Sequence, residues 1–281
     1  MILFYLHLFP LLFKKMRKFL GIILATILLL GAGLFLIKSR LSPSQSLPPP
    51  EKKIFGGIVP HDFSVGFMNI ELIRKLVLQK PKLIILLGPN HYEKGESQIA
   101  VYDQDWQVKG FGVIRNDPEF VNDLLKNYFV KVNNEIFEQE HSIGNNMIHL
   151  YTYLPETKVV PIIFKKNCPL ENLEALAKYL ATKVDDNTVI LASVDFSHYL
   201  NSSEAQKMDT LTLQEMKKFN YEKILSFDSK NLDSPSSIVT LLMVMEKLKK
   251  TKMGILRHIN SAEIKKSSSV PTTSYYSIIF Y

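Results

Sequence analysis

Seven consecutive apolar residues, LIILLGP at positions 83–89, run directly into Asn90 and His91. Side chains of a strand alternate between two faces, so an unbroken apolar run calls for cover on both. Helices packed on either side of a sheet supply that cover, and the rest of the chain fits this arrangement. Strand-like runs lie at 54–60 (IFGGIVP), 158–164 (KVVPIIF), 188–198 (TVILASVDFSH) and in the C-terminal SYYSIIFY. Between them fall amphipathic helical patterns at 68–80, 118–129, 170–184, 202–219 and 236–250. The first carries its apolar face on Ile70, Ile73 and Val77. The order predicts one three-layer α/β domain over residues 54–281, with a mainly parallel, or mixed, central sheet.

The N-terminal part reads differently. Residues 19–37, FLGIILATILLLGAGLFLI, hold no charge and as a helix would span about 28 Å, near a bilayer's hydrocarbon thickness. Lys14, Lys15, Arg17 and Lys18 precede the run, and Lys38 and Arg40 follow. The expectation is a cytoplasmic segment (1–18), a transmembrane helix or signal anchor (19–37) and an extracytoplasmic domain, a single-pass protein of the cell membrane. A cleaved signal peptide is the competing reading, and Met16 offers a second start. Residues 38–53, with four prolines and four serines, read as a linker.

Charge limits the partners. The net charge is +7, and residues 1–53 account for all of it with eight basic residues and one acid. The remainder is formally neutral and offers no net field for nucleic acid. The single cysteine, Cys168, rules out an intrachain disulfide and multi-cysteine metal motifs, and reads as a small buried residue.

Ligands of parallel α/β sheets bind beyond the carboxyl ends of the strands. Polar residues gather there: His61-Asp62 after GGIVP, Asn90-His91 after LIILLGP, and Asp195 through His198 after VILASV. Glu140-His141-Ser142 precedes a helix start. Singly, each reads as readily as a turn or capping residue. Three neighbouring strand ends with imidazoles instead suit a divalent transition metal or an acid–base site. No Walker loop, Rossmann fingerprint or nucleophile elbow is present.

In order and spacing, IVPHDF, LLGPNHY, EHSI, VVPIIF and VDFSHY resemble the Memo family, called AmmeMemoRadiSam system protein B in prokaryotes. The resemblance implies a fold similar to the class III extradiol dioxygenases, whose non-haem iron is held by two histidines and a carboxylate. It implies metal-ligand positions at His61 and His91, and pocket positions at His141, Asp195 and His198, with His198 matching the relatives' acid–base histidine. The chain departs from the family in four places. PHAG is PHDF, the second histidine of GPxHH is Tyr92, the glutamate after HSI is Gly144, and Asp233 stands where a cysteine is usual. Asp233 reads either as a third ligand, completing a face suited to Fe(II) with Zn or Cu as alternatives, or as a helix-entry cap. The expected activity is redox or oxygen-dependent chemistry on a small substrate. A non-enzymatic module binding a small or peptide ligand, or a zinc hydrolase with Asp195 or Asp62 as base, fits the same residues.

Overall fold

The computed structural model describes residues 52–267 and 271–281. The chain divides into two units, Met1–Pro48 and Pro49–Tyr281, and the described residues lie in the second. Its eight-stranded sheet comprises β1 (Gly56–Val59), β2 (Leu83–Pro89), β3 (Ile99–Val101), β6 (Val130–Val132), β7 (Lys158–Phe164), β8 (Thr188–Ser193), β9 (Met253–Asn260) and β10 (Ser274–Phe280). A separate hairpin joins β4 (Trp106–Val108) to β5 (Gly112–Ile114). The strand order is β6-β3-β7-β2-β8-β1-β10-β9. Four central strands, β7-β2-β8-β1, are parallel, and β3, β10 and β9 join antiparallel, so the sheet is mixed.

The apolar run of β2 is covered as its composition demands. Leu83, Ile85 and Leu87 pack on one face with Val160, Ile162 and Ile190. Ile84 and Leu86 pack on the other with Val159, Val189 and Leu191. Helices α4 (Leu170–Ala181) and α7 (Pro235–Lys247) close the first face, and α1 (Gly66–Gln79) and α3 (His141–Tyr153) the second. Each such fully buried side chain contributes roughly 1.5–3 kcal/mol by leaving water. The remaining helices are α2 (Pro118–Leu124), α5 (Ser202–Lys217), α6 (Tyr221–Leu225) and α8 (Ser261–Lys265).

The expected transmembrane helix requires correction. Among the described residues no helix is long and apolar enough to cross a membrane. The longest, α5, has 16 residues, about 24 Å, and its sequence SSEAQKMDTLTLQEMK is rich in charge. The predicted anchor at 19–37 lies outside the described residues. The fold is therefore an α/β domain with a mixed central sheet. The membrane anchor, the single-pass cell-membrane localisation and the membrane as partner are withdrawn.

Smaller differences have local causes. The predicted helix at 118–129 stops at Leu124, where the Asn127 side chain donates to the Leu124 carbonyl and closes the last turn. The strand predicted over 188–198 leaves the sheet after Ser193. From there the chain turns to pair Phe196 with Leu232, and the Phe196 N–H donates to the Ser274 carbonyl. Strands β3 and β6 are not legible in the sequence, because three residues are too few to show a period.

A histidine and carboxylate cluster at the strand ends

Sheet register brings the polar residues together. Ile58 of β1 pairs with Ala192 of β8, which also pairs with Leu87 of β2. Three neighbouring strands thus end in step, and the residues just beyond them, His61, Asp195 and His91, emerge on one edge.

His61 is buried, and its backbone N–H donates to Asp195 Oδ1 at 2.9 Å. Its Nδ1 lies 3.3 Å from Ser193 Oγ. That hydroxyl gives its one proton to the Ser142 carbonyl at 2.6 Å and accepts from Asn146 Nδ2 at 3.0 Å. Ser193 can only accept from His61, so Nδ1 carries the hydrogen and Nε2 faces the carboxylates. His91 is fixed in the same sense. Its Nδ1 lies 2.7 Å from Glu140 Oε1, and its backbone N–H donates to Glu140 Oε2 at 2.9 Å. An ionised carboxylate accepts only, so this Nδ1 is also a donor and Nε2 is left free.

Both free nitrogens face Asp233. Its Oδ2 is 3.0 Å from His61 Nε2 and 3.7 Å from His91 Nε2, while Asp195 Oδ2 is 3.5 Å from His61 Nε2. An antiparallel exchange sets this approach: the Asp233 N–H donates to the Asp195 carbonyl at 3.1 Å, and the Asp195 N–H to Asp233 Oδ2 at 3.3 Å. Asp233 lies just before Ser234, whose side chain caps α7, so the capping role belongs to Ser234.

The charges respond to one another. Burial opposes a proton on His61, but Asp195 and Asp233 outweigh it and raise its pKa to about 9. Burial likewise opposes charge on His91, and the bonds to Asp233 and Glu140 raise it to about 10. For Asp233, burial pushes up while the two imidazoles pull harder, so its carboxyl stays below the usual range. Asp195 moves upward, because burial and the Asp233 charge outweigh His61. His141 is lowered, first by burial and then by the neighbouring imidazoles.

Two ligand-capable groups share His61: His61, His91 and His141, and His61, Asp195 and Asp233. The His141 ring stacks on His91 at 4.3 Å with planes 19° apart, and 5.0 Å separates the His61 and His91 ring centres. The donor set fits a divalent transition ion, which would displace the Nε2 protons: imidazoles held at Nδ1, a charged carboxylate, and a buried Asp233 Oδ1 with no hydrogen-bond partner among the described residues. His198 lines an adjoining cavity of about 480 Å³ together with His91 and Asp233, and its Nδ1 is also buried without a partner. Tyr92 is half exposed beneath Lys94 rather than turned toward the cluster.

The histidines are legible in the sequence; the residues that orient them are not. Glu140, whose side chain is fully buried, was legible only as an acid before a helix, a position expected for a cap; it does cap α3 by accepting from the Ser142 N–H. Ser193 and Asn146 carried no signal, because a small polar residue at a strand end and an amide in a helix are ordinary. Asp62 has both oxygens engaged, by the Ser64 N–H and the Tyr275 hydroxyl.

A family model described as Memo-like protein matches residues 37–278. A MEMO1 family protein of Pyrobaculum arsenaticum is 25% identical over 256 residues, 87% of this chain and 90% of that protein. One from Sulfolobus acidocaldarius is 28% identical over 257 residues, covering 86% and 88%. Among solved structures, the uncharacterized protein JW3007 of Escherichia coli K12 superposes with a TM-score of 0.56 at 13% identity, over 81% of this chain and all of that one, a likeness of fold alone.

Proposed function

Given that the chain belongs to the Memo-like protein family, we propose that it is a metal-binding protein whose centre is held by His61, His91 and Asp233 and serves redox or oxygen-dependent chemistry on a small molecule. One observation carries this reading. Asp233 Oδ2 lies against both Nε2 atoms, while both Nδ1 atoms are committed to other partners. Two imidazoles and one carboxylate suit Fe(II) with positions left open, and accommodate Zn or Cu(II). A carboxylate in place of the cysteine that the family resemblance implies disfavours Cu(I). Such an ion, when bound, supplies Lewis acidity and electron transfer.

The chain's own residues would do the rest. His198, at the cavity wall with an unpartnered Nδ1, moves a proton to or from the substrate. His141, stacked on His91 and half exposed, orients the substrate at the entrance. Asp195 holds the backbone of His61 and sets its charge. Metal analysis of the full chain, with anaerobic Fe(II) and Zn(II) titrations, tests the assignment. Wild type is expected to take up one ion, and Asp233→Ala to lose most of it. A protein that takes up neither ion, or a variant that binds Fe(II) as wild type does, would sink the reading.

A binding role without turnover is the second reading. It is favoured over zinc hydrolysis because both candidate bases are already engaged: Asp62 by the Ser64 N–H and the Tyr275 hydroxyl, and Asp195 by the backbone and ring of His61. A binding module keeps its ligand after the metal is stripped; an enzyme loses turnover.

A further inference from the structure

The cavity beside the histidine cluster has a second polar end. Helix α7 opens into it at Ser234, Pro235 and Ser236. The first turn of a helix leaves N–H groups without intrahelical acceptors and carries the positive end of the helix dipole. Here Pro235 has no N–H, and the Ser237 N–H is capped by Ser234 Oγ at 3.4 Å. The Ser234 and Ser237 hydroxyls satisfy each other at 2.6 Å. Ser236 is left over. It is 1% exposed, its Oγ is buried without a hydrogen-bond partner, and its N–H precedes the first intrahelical bond. A buried, unpartnered hydroxyl beside the first N–H groups of a helix can donate to an anion.

The rest of the cavity agrees. Lys165 and Lys166 line it from the end of β7, where Lys165 Nζ donates to the Gly95 carbonyl, while Lys166 is exposed and among the described residues its ammonium forms no ion pair. The lining carboxylates of Glu93 and Asp228 accept from the Lys166 and Lys230 N–H groups, at 3.0 and 2.9 Å. Leu225 and Phe227 add an apolar wall. We propose that this cavity binds a small organic carboxylate, its anionic group on Ser236 at the start of α7 and its apolar body against Leu225 and Phe227. This names the ligand class for the site proposed above and rests on that site for its role, but not for its binding.

Benzoate, with benzyl alcohol as its neutral counterpart, tests the proposal by calorimetry on the full chain before and after chelation. Benzoate is expected to bind in both states and benzyl alcohol more weakly. Ser236→Ala should weaken benzoate about tenfold, the loss of one hydrogen bond to a charged group. Lys166→Ala should weaken it roughly threefold, less at high salt. Equal affinity for the two probes overturns the proposal, as do an unaffected Ser236→Ala variant and binding that vanishes on chelation. Should Ser236→Ala fail to fold, Lys166→Ala decides, and unchanged affinity there overturns the carboxylate site. Metal content of the same samples separates the two readings. Metal-loaded protein indifferent to benzoate removes the carboxylate site alone; benzoate bound by protein that takes up no metal removes the metal centre alone.

Discussion

Glu140 has no hydrogen to give when ionised, so its 2.7 Å contact with His91 Nδ1 dictates which nitrogen of that ring stays free. Glu140→Gln keeps the size of the side chain but loses the charge that holds this tautomer. Its Fe(II) or Zn(II) affinity should fall about 10- to 100-fold, the range usual for a partner behind a metal-bound histidine. Titration with either ion checks this, and circular dichroism controls for the α3 cap that Glu140 also makes. Cys168 illustrates the opposite outcome of burial. Removal from water, with Glu171 nearby, raises its thiol pKa to about 12. The thiolate is the reactive form, so a disulfide reagent at pH 8 should leave Cys168 untouched in the native protein and modify it once denaturant is added. Fast native labelling would contradict the packing described.

Helix α2 shows how one side chain decides an element. Asp117 accepts from the Phe120 N–H at 3.1 Å, lies 3.0 Å from Lys158 Nζ of β7, and precedes Pro118 at the first helical position. Burial pushes its carboxyl up, but the helix N–H and the ammonium outweigh burial and hold it below the ordinary value. A depressed carboxyl stabilises the fold above its unfolded pKa, and that contribution fades as pH falls through the folded one. Asp117→Ala should therefore cost about 1 kcal/mol near neutrality. The gap between wild type and variant should narrow below about pH 4. Urea melts at both pH values measure it; a gap that widens on acidification would reverse the sign argued here.

Across the whole molecule, the proposed ligands come from three separate segments: His61 after β1, His91 after β2 and Asp233, 142 positions beyond His91, before α7. An ion held by all three binds the folded chain and not the unfolded one. At a hundredfold excess over its dissociation constant it should add about 2.7 kcal/mol. Thermal melts of the chelated full chain, with and without Fe(II) under anaerobic conditions, should show a rise in midpoint that Asp233→Ala lacks. Equal shifts in both proteins would mean that the ion binds elsewhere.

Local pattern was enough for the central elements. The apolar run of β2, the KVVPIIF strand and the helical periods flanking them follow from neighbouring residues alone, because strand and helix repeats are written at a spacing of two to four residues. The same locality made His61 and His91 visible at the strand ends. It left the helix at 118–129 too long, β3 and β6 unseen, and a membrane helix predicted that no described helix provides. Only tertiary structure decided what the histidines face. Register aligned three strand ends, the exchange between Asp195 and Asp233 carried a carboxylate to both imidazoles, and Glu140 and Ser193 selected their free nitrogens. Those contacts join residues 38 to 172 positions apart, a separation at which neighbouring sequence holds no record of the partner.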